Sequence, residues 1–400
     1  MRGFLQQHQF LLRFALLSSF MGISVGLAKF TTTLYALHLG AQGWWLAAIA
    51  GAQSVGILFM SLPVGFWVER IGPARLFVLG SLVMGAVYAA IPLLPQMLFL
   101  VVLTALISFV MPLRFVSLNT VFMAALERIG HARAGWQRGA HMAGMLLVGP
   151  LLAAAVVAWL GYAGSYWLVA AMFVAAAPLS ASVLNQHQHQ HQQAPPRAGA
   201  VRPPMRQAVQ LLWREPDIRA LAMQECAIQA IHMYYAFYMV VIAVQELGLP
   251  ALGAGTLVAV QGSAFVGTLI FLGPLMVWLG PLRTVLWAVG AVIAAALLLA
   301  WASTTAWLWV GGAVLGAGLG LLQTHTLTQF AHVGARMGRG RVSGLSALAG
   351  PCGGFIGGLL GGTLGTVVGL QAVFLLFVPV FGWLGWRALH ERARPTIISI

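Results

Sequence analysis

Five ionisable side chains stand inside long apolar stretches of this sequence: Lys29, Arg114, Glu225, His232 and His325. Lys29 and Arg114 can hold a carboxylate, the arginine through two parallel N–H groups and the lysine as a point charge. Glu225, Gln229 and His232 follow at i, i+4 and i+7, so a helix through them carries all three on one side. A carboxylate so placed can bind an amine or exchange a proton, and imidazole is the side chain suited to assist near neutral pH. Thr33 follows Lys29 by four positions, and Gln329 and His332 follow His325 by four and seven. A lone histidine in an apolar helix also serves as a hydrogen bonder between helices, so His325 carries two readings.

The elements that hold these residues are membrane spans. Hydrophobic residues make up 60% of the chain and charged ones 7%, and apolar runs of about 20 residues follow one another with short breaks. This pattern predicts an all-α, polytopic membrane protein, and the alternation of a membrane barrel is absent. Spans are expected near 10–38, 44–66, 74–92, 96–122, 138–159 and 164–184, then near 217–245, 251–279, 282–302, 305–330, 341–364 and 369–388. Residues 1–184 and 217–400 thus form two six-helix units joined by a linker, 185–216. The first span reads as retained, because no small-residue cleavage site follows a short apolar core. Cys226 and Cys352 fall inside spans and imply no disulfide.

An internal repeat supports the division. Gly65, Gly72, Pro73 and Arg75 recur as Gly273, Gly280, Pro281 and Arg283, each displaced by 208 positions, and the same offset carries Leu39-Gly40 onto Leu247-Gly248 and Gln53 onto Gln261. Such repetition says which segments occupy equivalent places.

A charge inside the hydrocarbon costs at least about 2.5 kcal/mol, so each buried ion must face water or a partner. The first half offers two cations with no acid at their depth, and the second offers a carboxylate beside imidazoles. Every Lys and Arg other than Lys29 and Arg114 lies in a terminus, in the linker, at a span end or in a loop on one side. By the positive-inside rule both termini and the linker face the cytoplasm, in the inner membrane, with anionic lipid as the partner of the loop arginines. Trp44, Trp45, Trp301, Trp307 and Trp309 mark one interface, and Trp136, Trp213, Trp383 and Trp386 the other. The basic residues are scattered without interleaved aromatics, which excludes nucleic-acid binding. In the linker, His187, His189 and His191 read as a solvated tether and not as a metal site. No nucleophile–base pair or phosphate loop suggests an enzyme, and no cofactor is called for.

Twelve spans in two halves, with Gly65, Glu69, Arg70 and Gly72 forming a Gly-xxx-acid-Arg-x-Gly loop after the second, resemble the major facilitator superfamily. Pro73-Ala74 replaces that motif's basic pair before Arg75. The resemblance implies alternating access, a monomer, a central cavity lined by the first, fourth, seventh and tenth spans, and a gating charge network that includes Glu69 and Arg70. Lys29, Arg114, Glu225, His232 and His325 fall on those four spans, although His141 lies near the fifth. Gly144, Gly149 and Pro150 resemble in part the glycine-proline motif of the family's exporters, and Gly350-Pro351 shows that helix packing would use the same residues.

The expected function is a proton-coupled secondary transporter of a small carboxylated or zwitterionic molecule, such as a siderophore, metallophore or amino-acid-like compound. Export is the expected direction. Lys29, Arg114, Glu225, His232 and His325 would bind substrate, Glu225 and His232 would couple protons, and Gly65, Glu69, Arg70, Gly72 and Arg75 would gate. The alternatives are a multidrug/proton antiporter, which two buried cations disfavour, and a non-transporting receptor or assembly factor on the same fold.

Overall fold

In lipid every backbone N–H and C=O must find its partner within the chain, and a run of helices satisfies this. The computed structural model of the protein describes residues 2–129, 134–191, 216–272, 279–337 and 339–391. The linker residues 192–215 and the side chains of Glu69, Trp136, His187, His189, His191, Trp213 and His332 lie outside the described residues.

The helices are α1 (Arg2–His38), α2 (Trp44–Ile71), α3 (Pro73–Ala90), α4 (Met97–Ile129), α5 (Ala134–Ala143), α6 (Gly149–His191), α7 (Pro216–Val241), α8 (Ala251–Phe271), α9 (Pro281–Ala300), α10 (Thr305–Met337), α11 (Arg339–Val368) and α12 (Phe377–Glu391). A wider turn at Gly144–Val148 joins α5 to α6. Pro150 explains it, since proline has no N–H to give and its ring crowds the preceding turn. The apolar stretch Gly139–Ser180 is 42 residues long, about 63 Å as one helix and twice the hydrocarbon thickness. It reverses at Gly161, whose φ of 66° breaks the helix, so the stretch makes two crossings and the described residues make twelve. Both α4 and α10 run past their apolar segments, because a helix need not stop where the lipid does.

The repeat is visible in the turns. Gly40 and Gly248, Gly72 and Gly280, and Gly161 and Gly369 all have positive φ, and each pair is 208 residues apart. Gly72 and Gly280 each precede a proline at the start of a helix, with φ/ψ of 94°/146° and 77°/162°. Only glycine occupies this region without strain.

Packing repeats as well. α1 lies against α5 and α6 as α7 lies against α11, while α2–α4 answers to α8–α10 and α3–α6 to α9–α12. The halves meet where α2 packs on α11, where α5 and α6 pack on α8, and where α1 packs on α7. Two rows of glycine on α11 allow it to serve both bundles. A Cβ at Gly353 or Gly357 would lie 2.1 or 2.0 Å from the carbonyl oxygen of Cys226 or Ala230 on α7. One at Gly358 or Gly362 would press into Ala50 or Ala47 on α2. The α2–α11 contacts at Ala47, Ala50 and Ser54 lie toward the face opposite the termini, where Gln245 also donates to the Ala41 carbonyl at 3.2 Å. On that face Trp44, Trp301, Trp307 and Trp309 are exposed, as rings at a lipid interface should be, and Trp383 and Trp386 are exposed near the other. Cys226 and Cys352 are free thiols.

Candidate functional site

α7 carries a polar stripe, and its neighbours answer it side chain by side chain. Glu225, only 5% exposed, accepts from Gln323 Nε2 on α10 at 2.9 Å and from Gln229 Nε2 at 3.1 Å. Gln229 Nε2 also donates to Gln323 Oε1 at 3.2 Å, closing a ring of three side chains. The adjacent Gln224 donates to Thr326 Oγ1 at 2.8 Å and sits 3.4 Å from His325 Nδ1. The other nitrogen of His325 lies 3.5 Å from Gln329 Nε2. The structure therefore brings Glu225 and His325 into one tract shared by α7 and α10.

His232 leaves this tract for α8. Its Nδ1 lies 3.4 Å from Gln261 Nε2 and its ring 5.5 Å from that of Phe265. Seven residues separate it from Glu225, about 10 Å along the helix. Beyond it, the hydroxyls of Tyr234, Tyr235 and Tyr238 donate to the carbonyls of Leu370, Leu257 and Gly358. These tyrosines tie α7 to its neighbours.

Across the interface between the halves, Lys29 is half-buried on α1, and its ammonium has no hydrogen-bond or ion-pair partner among the described residues. Its carbonyl accepts from Thr33 Oγ1 at 3.0 Å, so the expected polar stripe closes on the backbone. Arg114 is placed differently. It has no exposed surface, and its guanidinium lies 4.2 Å from the ring centre of Phe173 on α6 and 5.3 Å from that of Phe77 on α3. In this conformation it is turned into the first bundle, away from the α7–α10 tract. His141 near the α5–α6 junction meets the Ser18 carbonyl at 3.2 Å.

In the loop, Gly65 is buried within α2, Gly72 makes the turn, and Arg70 and Arg75 are exposed. Gly144 and Gly149 are contact points, since a Cβ would fall 2.4 Å from the Ser19 carbonyl oxygen and 2.7 Å from Gly26 Cα.

The family model described as Major Facilitator Superfamily matches residues 10–345. The chain belongs to the major facilitator superfamily. Its structure is similar to that of the nucleoside transporter NupG, with a TM-score of 0.71, 13% identity and coverage of 96% of this chain and 99% of that one. A point mutant of NupG gives 0.75 at 13% identity, over 95% and 99%. At this identity the likeness concerns the superfamily fold alone. No curated protein sequence matches the chain.

Within the superfamily fold, the residues that sequence reasoning passed over are amides: Gln224, Gln261 and Gln323. Gln323 and Gln261 have no exposed surface. A fully buried amide must be hydrogen-bonded to offset its desolvation; Gln323 meets this through Glu225 and Gln229, whereas Gln261 on α8 keeps a buried Oε1 with no partner among the described residues. Gln261 was visible only as the repeat partner of Gln53.

Proposed function

We propose that the protein is a proton-coupled transporter that exports a small carboxylated or zwitterionic organic molecule across the cytoplasmic membrane by alternating access, with both termini cytoplasmic. The reading is supported by an ammonium on one half, Lys29, that has no partner among the described residues, together with a buried carboxylate on the other half, Glu225. A solute bearing a carboxylate and an amine would engage both, and engagement of both halves is what lets one ligand bias a rocking motion between them. Glu225 would exchange its interaction with the amine for a proton, and His325 and His232 would extend its polar surroundings. Siderophores, metallophores and amino-acid-like compounds fit this description. Export rests on the partial resemblance of Gly144, Gly149 and Pro150 to the exporter motif.

A nucleoside-like solute is the second reading. It is favoured by the run of amides Gln224, Gln229, Gln261 and Gln323, because amides pair with the donor and acceptor edges of a base. The experiment compares small metabolites in cytosol and medium for a deletion strain, the restored strain, and strains restored with Lys29→Ala or Glu225→Gln. Build-up of a carboxylated compound inside the deletion strain, cleared by the intact protein and not by Lys29→Ala, is the expected result. Selective change in nucleosides that Lys29→Ala leaves intact would replace the first reading with the second.

A further inference from the structure

Arg114 poses a problem that the α7–α10 tract does not solve. A guanidinium removed from water needs a counter-charge, and five N–H groups need acceptors. Here Nε, Nη1 and Nη2 are all buried with no hydrogen-bond partner among the described residues. Its central carbon lies over the rings of Phe173 and Phe77, which offset part of its desolvation through their ring quadrupoles and supply no acceptor for its N–H groups.

Among the described residues of the first half no carboxylate reaches Arg114. The Gly56 N–H donates to Ser108 Oγ at 2.9 Å, which sets the register of the parallel helices α2 and α4 and places Arg114 level with position 62. Glu69 lies seven residues farther along α2, about 10 Å, and Glu127 thirteen residues farther along α4, about 20 Å. The neighbours of Arg114 add donors. Ser117 lies one turn along α4. Ser81 lies on the α3 stripe between Phe77, which covers the guanidinium, and Tyr88, which lies within electrostatic range of it. A Cβ at the adjoining Gly80 would lie 3.1 Å from Arg114 Cγ, so α3 and α4 are in contact there. Both serine Oγ atoms are buried and without a partner among the described residues.

We propose that Arg114, Ser81 and Ser117 form a binding site for a small monovalent inorganic anion of halide size, held inside the first bundle and separate from the α7–α10 tract. A guanidinium edge with two hydroxyls is a set of donors around a positive charge. Water would satisfy the hydrogen bonds and leave the charge, whereas a halide satisfies both. The enclosing rings and the absence of exposed surface favour a single-atom ligand over an organic acid. The anion would neutralise Arg114 and fix α3, α4 and the 162–191 limb of α6 against one another.

The test is thermal unfolding of the purified full-length protein in sodium chloride against sodium gluconate at constant ionic strength. Chloride should raise the midpoint saturably. Ser81→Ala/Ser117→Ala should weaken the apparent chloride affinity by about tenfold. Arg114→Met, which keeps the length and loses the charge, should abolish the response. Lys29→Ala and Glu225→Gln should keep it even where transport is lost, so failure of the transport reading and failure of this one are distinguishable. Equal midpoints in chloride and gluconate, or an undiminished chloride response in the serine double variant or in Arg114→Met, would overturn the proposal.

Discussion

Gln323 on α10 donates to Glu225 Oε2 on α7 across 2.9 Å, joining two helices whose partners lie 98 residues apart. With Gln229 it surrounds a carboxylate in the middle of an apolar bundle, where an unsatisfied charge would be costly. Gln323→Leu removes the donor to Oε2 and leaves Gln229 on Oε1. The expected cost is about 1–3 kcal/mol, read as a lowered unfolding midpoint, and an unchanged midpoint would mean that the ring of three side chains is unimportant to the bundle.

Glu225→Gln keeps a hydrogen-bonding group of the same shape and removes the exchangeable charge. In proteoliposomes it should lose transport driven by a proton gradient while keeping solute counterflow. Gradient-driven transport at the wild-type rate would show that the coupling proton binds elsewhere.

Lys29→Ala should weaken a carboxylated solute by about 10- to 100-fold, the worth of one charge-assisted hydrogen bond. Lys29→Arg should restore part of it. Direct binding measurements with the solute identified by metabolite comparison supply the readout, and equal affinities would remove Lys29 from the site.

Gly357→Ala sets a methyl group 2.0 Å from the Ala230 carbonyl oxygen, so α7 and α11 must part. A loss of about 1–3 kcal/mol is expected. Gly290→Ala on α9 meets nothing within 4 Å and should be neutral or stabilising by up to about 1 kcal/mol. Thermal unfolding of the two variants side by side checks the contrast.

Gly72→Ala and Gly280→Ala should cost similar amounts, about 1–3 kcal/mol each, because both glycines hold the same backbone conformation at equivalent turns. A large difference between their unfolding midpoints would mean that the repeat is conserved in sequence without equivalent mechanical weight.

The solvent, the twelve crossings and the two-fold plan follow from apolar length and turn glycines, which are local properties of the sequence. Gly72-Pro73 and Gly280-Pro281 announce the same turn whatever surrounds them. Lys29 and Glu225 were legible for a related reason, since charge stands out in an apolar run. Which polar groups meet depends instead on how the helices pack. A helix sequence fixes which residues share a face but not which way that face is rotated, and the rotation follows from neighbours such as the glycine rows of α11. Hence Glu225 finds Gln323 on α10, His232 turns to Gln261 on α8, and Arg114, expected with Lys29 to bind substrate, is enclosed by Phe77 and Phe173 within its own bundle.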